Sequence, residues 1–116
     1  MRFRALLVAV PVALLAAPAA QAYTTFYGTV GPGATIVLKR ANGTVVRNAS
    51  RGNKTFVIRD RSSFHNFHLK GPGIDRRTGV AFVGNRTWSP LLLRVGRYTI
   101  VCDRHPLTMV RRFNVS

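Results

Sequence analysis

The apolar and polar residues of this chain alternate with a period of two, and turn residues interrupt the alternation roughly every eight to twelve positions. Side chains on a β-strand point alternately to its two faces, so this pattern predicts strands with one buried face. No segment keeps a helical period over the length of a helix. We therefore expect an all-β domain, a Greek-key β-sandwich or small barrel of seven to eight strands.

Several of the expected strands are well marked. TTFYGTV (24–30) runs into the turn Gly31-Pro32-Gly33, and TIVLKR (35–40) and TVVR (44–47) flank Asn42-Gly43, which is a strong hairpin signal. Further strands are expected at KTFVIRD, FHNFHLK, TGVAFVG, PLLLR, RYTIVC and RRFNVS.

The first 22 residues have the pattern of a cleavable secretory signal. Arg2 and Arg4 precede an apolar run from Ala5 to Ala17, and the segment ends in small residues at Ala20-Gln21-Ala22. A membrane anchor is the alternative, but two prolines interrupt the apolar stretch and it is short for a membrane span. We expect residues 1–22 to be a signal peptide, residues 23–116 to be one domain, and the protein to be secreted or periplasmic.

The charge of the chain is strongly positive. It has 18 basic and three acidic residues, and loss of Arg2 and Arg4 with the signal would leave a net charge of +13. Such a field favours anionic partners. We expect an acidic redox protein or an anionic cell-surface component, including a peripheral contact with a membrane surface, and a monomeric protein. Nucleic acid is not expected, because export removes that target.

The segment CDRHPLTM (102–109) holds the single cysteine of the chain, one of its three histidines and one of its two methionines. In RYTIVC, alternation places Cys102 on the core-facing side at the end of the strand, and the loop that follows brings His105 and Met109 into reach. In FHNFHLK the same alternation turns His65 inward and leaves His68 as a surface residue. A fold that apposes these two segments would bring His65 to the other three side chains.

This set of side chains has a definite meaning for metal binding. Thiolate and thioether select soft copper, and two imidazoles with a thiolate and a weak axial methionine describe a blue-copper electron-transfer site. Zinc would more often recruit a second thiolate or a carboxylate. Taken singly, each residue could instead be structural, for example Cys102 as an inert buried thiol and Met109 as a filler of the core.

Three segments, HNFHLKGPG, TWSPLLLRVGRYTIVCDRHPLTM and RFNV, together resemble the small cupredoxins of the plastocyanin, pseudoazurin and amicyanin type, from about residue 56 to residue 115. The resemblance implies one type 1 copper ion with the ligands His65, Cys102, His105 and Met109. It also implies that Asn66, directly after the first ligand, ties the two ligand loops together.

The same resemblance predicts where electrons would enter and leave. The second histidine ligand of such proteins faces solvent, so we expect His105, Pro106 and Leu107 to form an electron port inside a small apolar patch. Arg104 and the arginines at 111 and 112 would surround this port with positive charge.

We therefore expect a secreted one-electron carrier that is not an enzyme. The three carboxylates, Asp60, Asp75 and Asp103, are not paired in the sequence, and the chain has no G-x-S-x-G, P-loop or H-E-x-x-H motif. Two other functions stay open at this point. The same ligands would serve copper delivery or sequestration, and a metal-free, basic β-sandwich would serve adhesion.

Overall fold

A computed structural model of the protein describes Ala5, Val8, Ala9 and residues 22–116. The expected signal peptide, residues 1–22, thus lies almost entirely outside the described residues. Within them the chain forms nine strands: β1 (Thr24–Val30), β2 (Ile36–Arg40), β3 (Asn48–Ala49), β4 (Gly52–Asp60), β5 (His68–Gly71), β6 (Ile74–Arg77), β7 (Gly84–Leu93), β8 (Gly96–Val101) and β9 (Val110–Val115). This described part contains no helix that could cross a membrane.

The nine strands form two sheets. One sheet has four strands in the order β2-β1-β4-β7, and the other has five in the order β3-β9-β8-β5-β6. Strands that are neighbours in space are often far apart in sequence; β1, for example, pairs in parallel with β4. The expected all-β Greek-key sandwich is therefore confirmed, with nine strands where seven to eight were expected.

Aromatic side chains dominate the core between the sheets. Phe26 and Phe56 meet edge to face with ring centroids 5.6 Å apart, and Tyr98 stacks on Phe113 at 5.2 Å. All four are fully buried, and Trp88 is buried as well. Burial of such large apolar surfaces is the main stabilising contribution available to a domain of this size.

Several of the expected strand segments are wrong. Residues 78–83 form turns and irregular chain, and the strand begins only at Gly84. The TVVR segment makes a single isolated bridge, from Val45 to Lys39, instead of a hairpin strand. Two short strands, β3 and β6, were not expected from the sequence. These errors lie at the edges of the sheets, where pairing with one neighbour is enough to define a strand and alternation carries little information.

The segment FHNFHLK departs from the prediction in a way that affects the site. Residues 61–67 are irregular, and the strand begins at His68. Side chains satisfy this stretch of backbone in place of a strand neighbour: the Ser62 hydroxyl accepts from the amides of Phe64 and His65, and the amide of Phe67 donates to the Thr78 hydroxyl. Such local bonds compete with the ladder of a sheet.

Pairing between β5 and β8 brings the candidate ligands to one end of the sandwich. The two strands are antiparallel, with His68 opposite Val101. The chain that leads into β5 and the chain that follows β8 therefore lie at the same end of the sheet. We call residues 61–67 the His65 loop and residues 102–109 the ligand loop.

The His65 loop packs onto the first sheet at Gly28. A Cβ atom added there would lie 2.6 Å from Cζ of Phe67 and 2.7 Å from Cδ1 of Ile58, so only glycine allows this approach. Phe67 is itself fully buried. The contact holds the His65 loop close to the first sheet at Gly28.

We predict that Gly28→Ala destabilises the protein by about 1–3 kcal/mol, because it overpacks a dense core. Gly33→Ala is the matched control, since a Cβ there meets nothing within 4 Å. Urea unfolding followed by tryptophan fluorescence measures both variants. Equal unfolding midpoints for the two would contradict the close packing at Gly28.

Candidate metal centre

Buried polar side chains hold the His65 loop in place through hydrogen bonds. Asp60, at the end of β4, accepts a hydrogen bond from the amide of Ser62 (3.0 Å) and another from the hydroxyl of Thr78 (3.0 Å). Burial raises the pKa of Asp60 above its ordinary value, and these two hydrogen bonds oppose the rise. Ser62 in turn accepts from the amide of His65, so the position of His65 follows from that of Asp60.

The ligand loop folds back on itself through its own backbone. The amide of His105 donates to the carbonyl of Cys102 (3.0 Å), and the amide of Met109 donates to the carbonyl of His105 (2.9 Å). The amide of Cys102 then donates to the carbonyl of Met109 (3.0 Å), which closes the loop. The first and last residues of the loop are therefore held side by side.

Three donor atoms converge where the two loops meet. Nδ1 of His65 lies 3.1 Å from Nδ1 of His105, and the sulfur of Cys102 lies 3.7 Å and 3.8 Å from these two nitrogens. Cys102 is fully buried, His65 is half-buried and His105 is exposed. The sequence thus named three residues, 40 positions apart at most, that the fold gathers into one cluster suited to a metal ion.

The size of this cluster fits a first-row transition metal. The point equidistant from the three donor atoms lies about 2.1 Å from each, close to the metal–ligand lengths of about 2.0–2.3 Å known for zinc with histidine and cysteine. Two ring nitrogens 3.1 Å apart can form at most one hydrogen bond with each other. A metal ion satisfies all three donors at once.

Met109 lies at the end of the ligand loop and is buried, with 1% of its surface exposed. Its backbone contacts both Cys102 and His105 through the hydrogen bonds that close the loop. Its role as a fourth ligand stays a prediction.

Asn66 links the two loops directly. Its Oδ1 accepts from the amide of Asp103 (2.8 Å), and its Nδ2 donates to Oδ2 of Asp103 (2.7 Å) and to the carbonyl of Thr78 (3.1 Å). The side chain is buried. The residue after His65 is therefore bonded twice to the residue after Cys102.

His68 is buried, and the prediction that it lies on the surface is wrong. Only 2% of it is exposed. Its Nδ1 lies 2.7 Å from Oδ1 of Asp103, and its Nε2 lies 2.5 Å from Oδ1 of Asp75 on β6. Alternation failed here because the edge strand β6 and the ligand loop both cover the face that was expected to meet solvent.

The two aspartates on either side of His68 are shifted toward their charged forms. A hydrogen bond from His68 lowers the pKa of Asp75. Burial acts to raise the pKa of Asp103, but hydrogen bonds from His68 and Asn66 outweigh it and hold that pKa below its ordinary value.

All three carboxylates of the chain belong to this network around the cluster. Sequence reasoning noted only that they are not paired along the chain. The one available signal was the position of Asp103, directly after the cysteine, in a protein that has so few acidic residues.

The residues next to His65 and His105 in the chain include exposed apolar side chains. Leu107 is 92% exposed, and His105 and Pro106 are exposed beside it. Phe64, directly before His65, is 65% exposed and was not among the residues expected at this surface.

Comparisons with known proteins find structural likeness only. Neither a protein-family model nor a curated protein matches the chain. An oxidised mutant of amicyanin is similar with a TM-score of 0.49 and 12% identity, over 78% of this chain and 80% of that chain. Reduced rusticyanin is similar with a TM-score of 0.48 and 19% identity, over 79% of this chain and 78% of that chain. For rusticyanin from Thiobacillus ferrooxidans the TM-score is 0.42 and the identity 20%, over 79% and 76% of the two chains.

Amicyanin and rusticyanin are cupredoxins, the family that the sequence motifs resemble. The likeness is remote in sequence and in superposition. What the cluster can bind is therefore inferred from its own donor atoms: one thiol and two imidazoles, arranged as in a type 1 copper site.

We predict that Asn66→Ala lowers the free energy of unfolding of the metal-free protein by about 1–3 kcal/mol, because it removes both bonds to Asp103 and leaves the carbonyl of the buried Thr78 without its side-chain donor. Asn114→Ala is the control: Asn114 is exposed on β9, and its loss should change stability by no more than about 0.5 kcal/mol. Urea denaturation compares them. If both variants unfold at the wild-type midpoint, Asn66 does not tie the loops.

Proposed function

We propose that this protein is an exported type 1 copper protein that carries one electron at a time. The observation that carries the proposal is the triangle formed by Nδ1 of His65, Nδ1 of His105 and the sulfur of Cys102, with sides of 3.1, 3.7 and 3.8 Å. These atoms come from two loops that the fold brings together, so their convergence is not a by-product of sequence proximity.

The chemistry of the donors favours copper over other metals. A thiolate with two imidazoles suits copper, and a buried thioether at the end of the ligand loop suits the weak axial ligand of a type 1 site. A structural zinc site would more often be closed by another thiolate or a carboxylate. When bound, a copper ion would supply the one-electron redox change between Cu(I) and Cu(II).

The residues of the chain hold the donors still. Cys102 is fixed at the end of β8 and by its bond to Met109, and His65 is fixed through Ser62. Donors held in this way do not rearrange when an electron arrives, so little energy is spent on reorganisation. Burial of Cys102 also keeps water from the thiolate.

Electron exchange is proposed to occur at the exposed edge of His105. Pro106 and Leu107 flank it, and the exposed Phe64 extends the apolar surface on the side of His65. Of the four proposed ligand residues, only His105 is exposed. We call His105, Pro106, Leu107 and Phe64 the port.

The proposed partner is an acidic redox protein or an anionic cell-surface component. Arg104, Arg111 and Arg112 are exposed near the port in sequence, whereas the three carboxylates are engaged in the network beneath it. Steering by a positive field raises association rates with acidic partners. Export, which follows from the pattern of the first 22 residues, would place this encounter in the periplasm or outside the cell.

We predict that purified protein loaded with Cu(II) shows intense visible charge-transfer absorption and that Cys102→Ser abolishes it without unfolding the protein, because the thiolate is the source of the transition. Thr108→Ala, an exposed change on the same loop, is the control and should keep the colour. A folded wild-type protein without this absorption would overturn the proposed function and favour a metal-free adhesion module.

Replacement of the proposed axial donor should change the potential. We predict that Met109→Leu keeps copper bound but raises the reduction potential, since loss of a weak donor disfavours Cu(II). Leu93→Met, a similar exchange in the core away from the loops, should leave the potential unchanged. Cyclic voltammetry measures both, and an unchanged potential and spectrum in Met109→Leu would remove Met109 from the ligand set.

The port predicts a salt-dependent reaction. Electron transfer to an acidic cytochrome should slow as ionic strength rises, because the Debye length falls from about 30 Å at 0.01 M to about 10 Å at 0.1 M. Leu107→Asp should slow the reaction further, whereas Leu92→Asp, on β7, adds the same charge away from the port and should have little effect. Stopped-flow rates that do not change with ionic strength, or that fall equally in both variants, would contradict electron exchange at the port.

A further inference from the structure

We propose that His68 is a positioning residue for the metal centre, which it does not touch: it anchors the ligand loop to β5 and β6 through Asp103 and so sets the places of Cys102 and His105. The inference rests on the proposed function for its meaning, but its first readout requires no metal.

His68 occupies the junction between a rigid sheet and a loop. It begins β5, which lies between β8 and β6 in the second sheet. Its ring is buried and uses both nitrogens: Nε2 faces Asp75 on the neighbouring strand β6 at 2.5 Å, and Nδ1 faces Asp103 on the ligand loop at 2.7 Å. One ring therefore connects the edge of the sheet to the loop.

Asp103 is the point at which the loop receives this anchor. Its Oδ1 bonds to His68, its Oδ2 bonds to Nδ2 of Asn66, and its amide donates to Oδ1 of Asn66. Arg77 adds a longer contact to Oδ2 at 3.6 Å. Both carboxylate oxygens and the backbone of Asp103 are thus fixed, directly beside Cys102.

The rest of the ligand loop has little else to hold it. Residues 103–108 are all exposed, and only Cys102 and Met109 at the two ends are buried. Among the described residues, only Asp103 and His105 of the segment 103–108 form hydrogen bonds to side chains outside the ligand loop. Because the bond from His105 is to His65, within the cluster itself, Asp103 is the anchor outside it.

The hydrogen bond between His68 and Asp103 is strong enough to affect the position of the ligand loop. It is charge-assisted, and hydrogen bonds of this kind are about twice as strong as neutral ones. Groups that orient the ligands of a metal typically change metal affinity or activity by about 10–100-fold when they are removed. An apolar residue at position 68 would remove the bond to Oδ1 of Asp103 and leave that residue held by Asn66 and by the longer contact with Arg77.

The test compares His68→Leu, His68→Gln and Phe113→Leu with the wild type. In His68→Gln, the carboxamide can still donate a hydrogen bond to Asp103. It cannot at the same time reach Asp75, as the second ring nitrogen of His68 does. Phe113→Leu removes core packing on β9 and touches none of these bonds, so it controls for loss of stability alone.

The first readout is hydrogen exchange of the Asp103 amide in the metal-free protein. We expect exchange to be roughly 10-fold faster in His68→Leu, intermediate in His68→Gln and unchanged in Phe113→Leu. The second readout is the Cu(II) protein, in which His68→Leu should broaden the paramagnetic resonance spectrum, shift the reduction potential and speed the loss of copper to a chelator by about 10-fold.

The outcomes separate the two proposals. If the wild type is coloured but His68→Leu matches it in amide exchange, spectrum and potential, His68 does not position the centre and the proposed function stands. If amide exchange responds as expected but the folded wild type shows no charge-transfer band, the anchoring holds and the proposed function fails. Should His68→Leu not fold, His68→Gln decides: amide exchange and potential equal to the wild type would overturn the proposal.

Discussion

The two hydrogen bonds between Asn66 and Asp103 are the contact on which the cluster of donor atoms depends. One residue follows His65 and the other follows Cys102, so these bonds set the distance between the two loops that carry the donors. They form because β5 pairs with β8 with His68 opposite Val101, which places both loops at one edge of the sheet. The strand register therefore places the two loops side by side, and the bonds between Asn66 and Asp103 hold them so that three donor atoms lie within 3.8 Å of one another.

The use of acidic residues follows from the same arrangement. Three carboxylates stand against 18 basic residues, and all three lie in the network below the cluster: Asp60 holds the His65 loop, Asp103 holds the ligand loop, and Asp75 holds His68. Each is stabilised by hydrogen bonds, and for Asp60 these offset part of the cost of burial. The few acidic groups thus take part in the hydrogen bonds that order the two loops.

The error over His68 shows where alternation loses its meaning. A period of two assigns faces only while the backbone is extended and paired, and residues 61–67 are neither. Ser62 and Thr78 take the backbone bonds of this stretch, so inside and outside no longer alternate before β5, and Asn66 is buried. His68, the first residue of β5, is buried because Asp103 of the ligand loop lies against its ring. A second cause is the edge strand β6, whose four residues carry too weak a pattern to be recognised, although it covers one side of His68.

The sequence by itself determined the class of fold, most of strands β1, β2, β4, β8 and β9, and the three residues His65, Cys102 and His105 whose donor atoms cluster. Each of these depends on local pattern: alternation along a strand, turn residues between strands, and soft ligands gathered on one short loop. Only the tertiary structure decided the spacing of the donors, the burial of His68 and the joining of all three carboxylates around the site. Those features depend on contacts between segments some 35 to 40 residues apart, such as His68 with Asp103 and His65 with His105, and no local pattern encodes the register that brings such segments together.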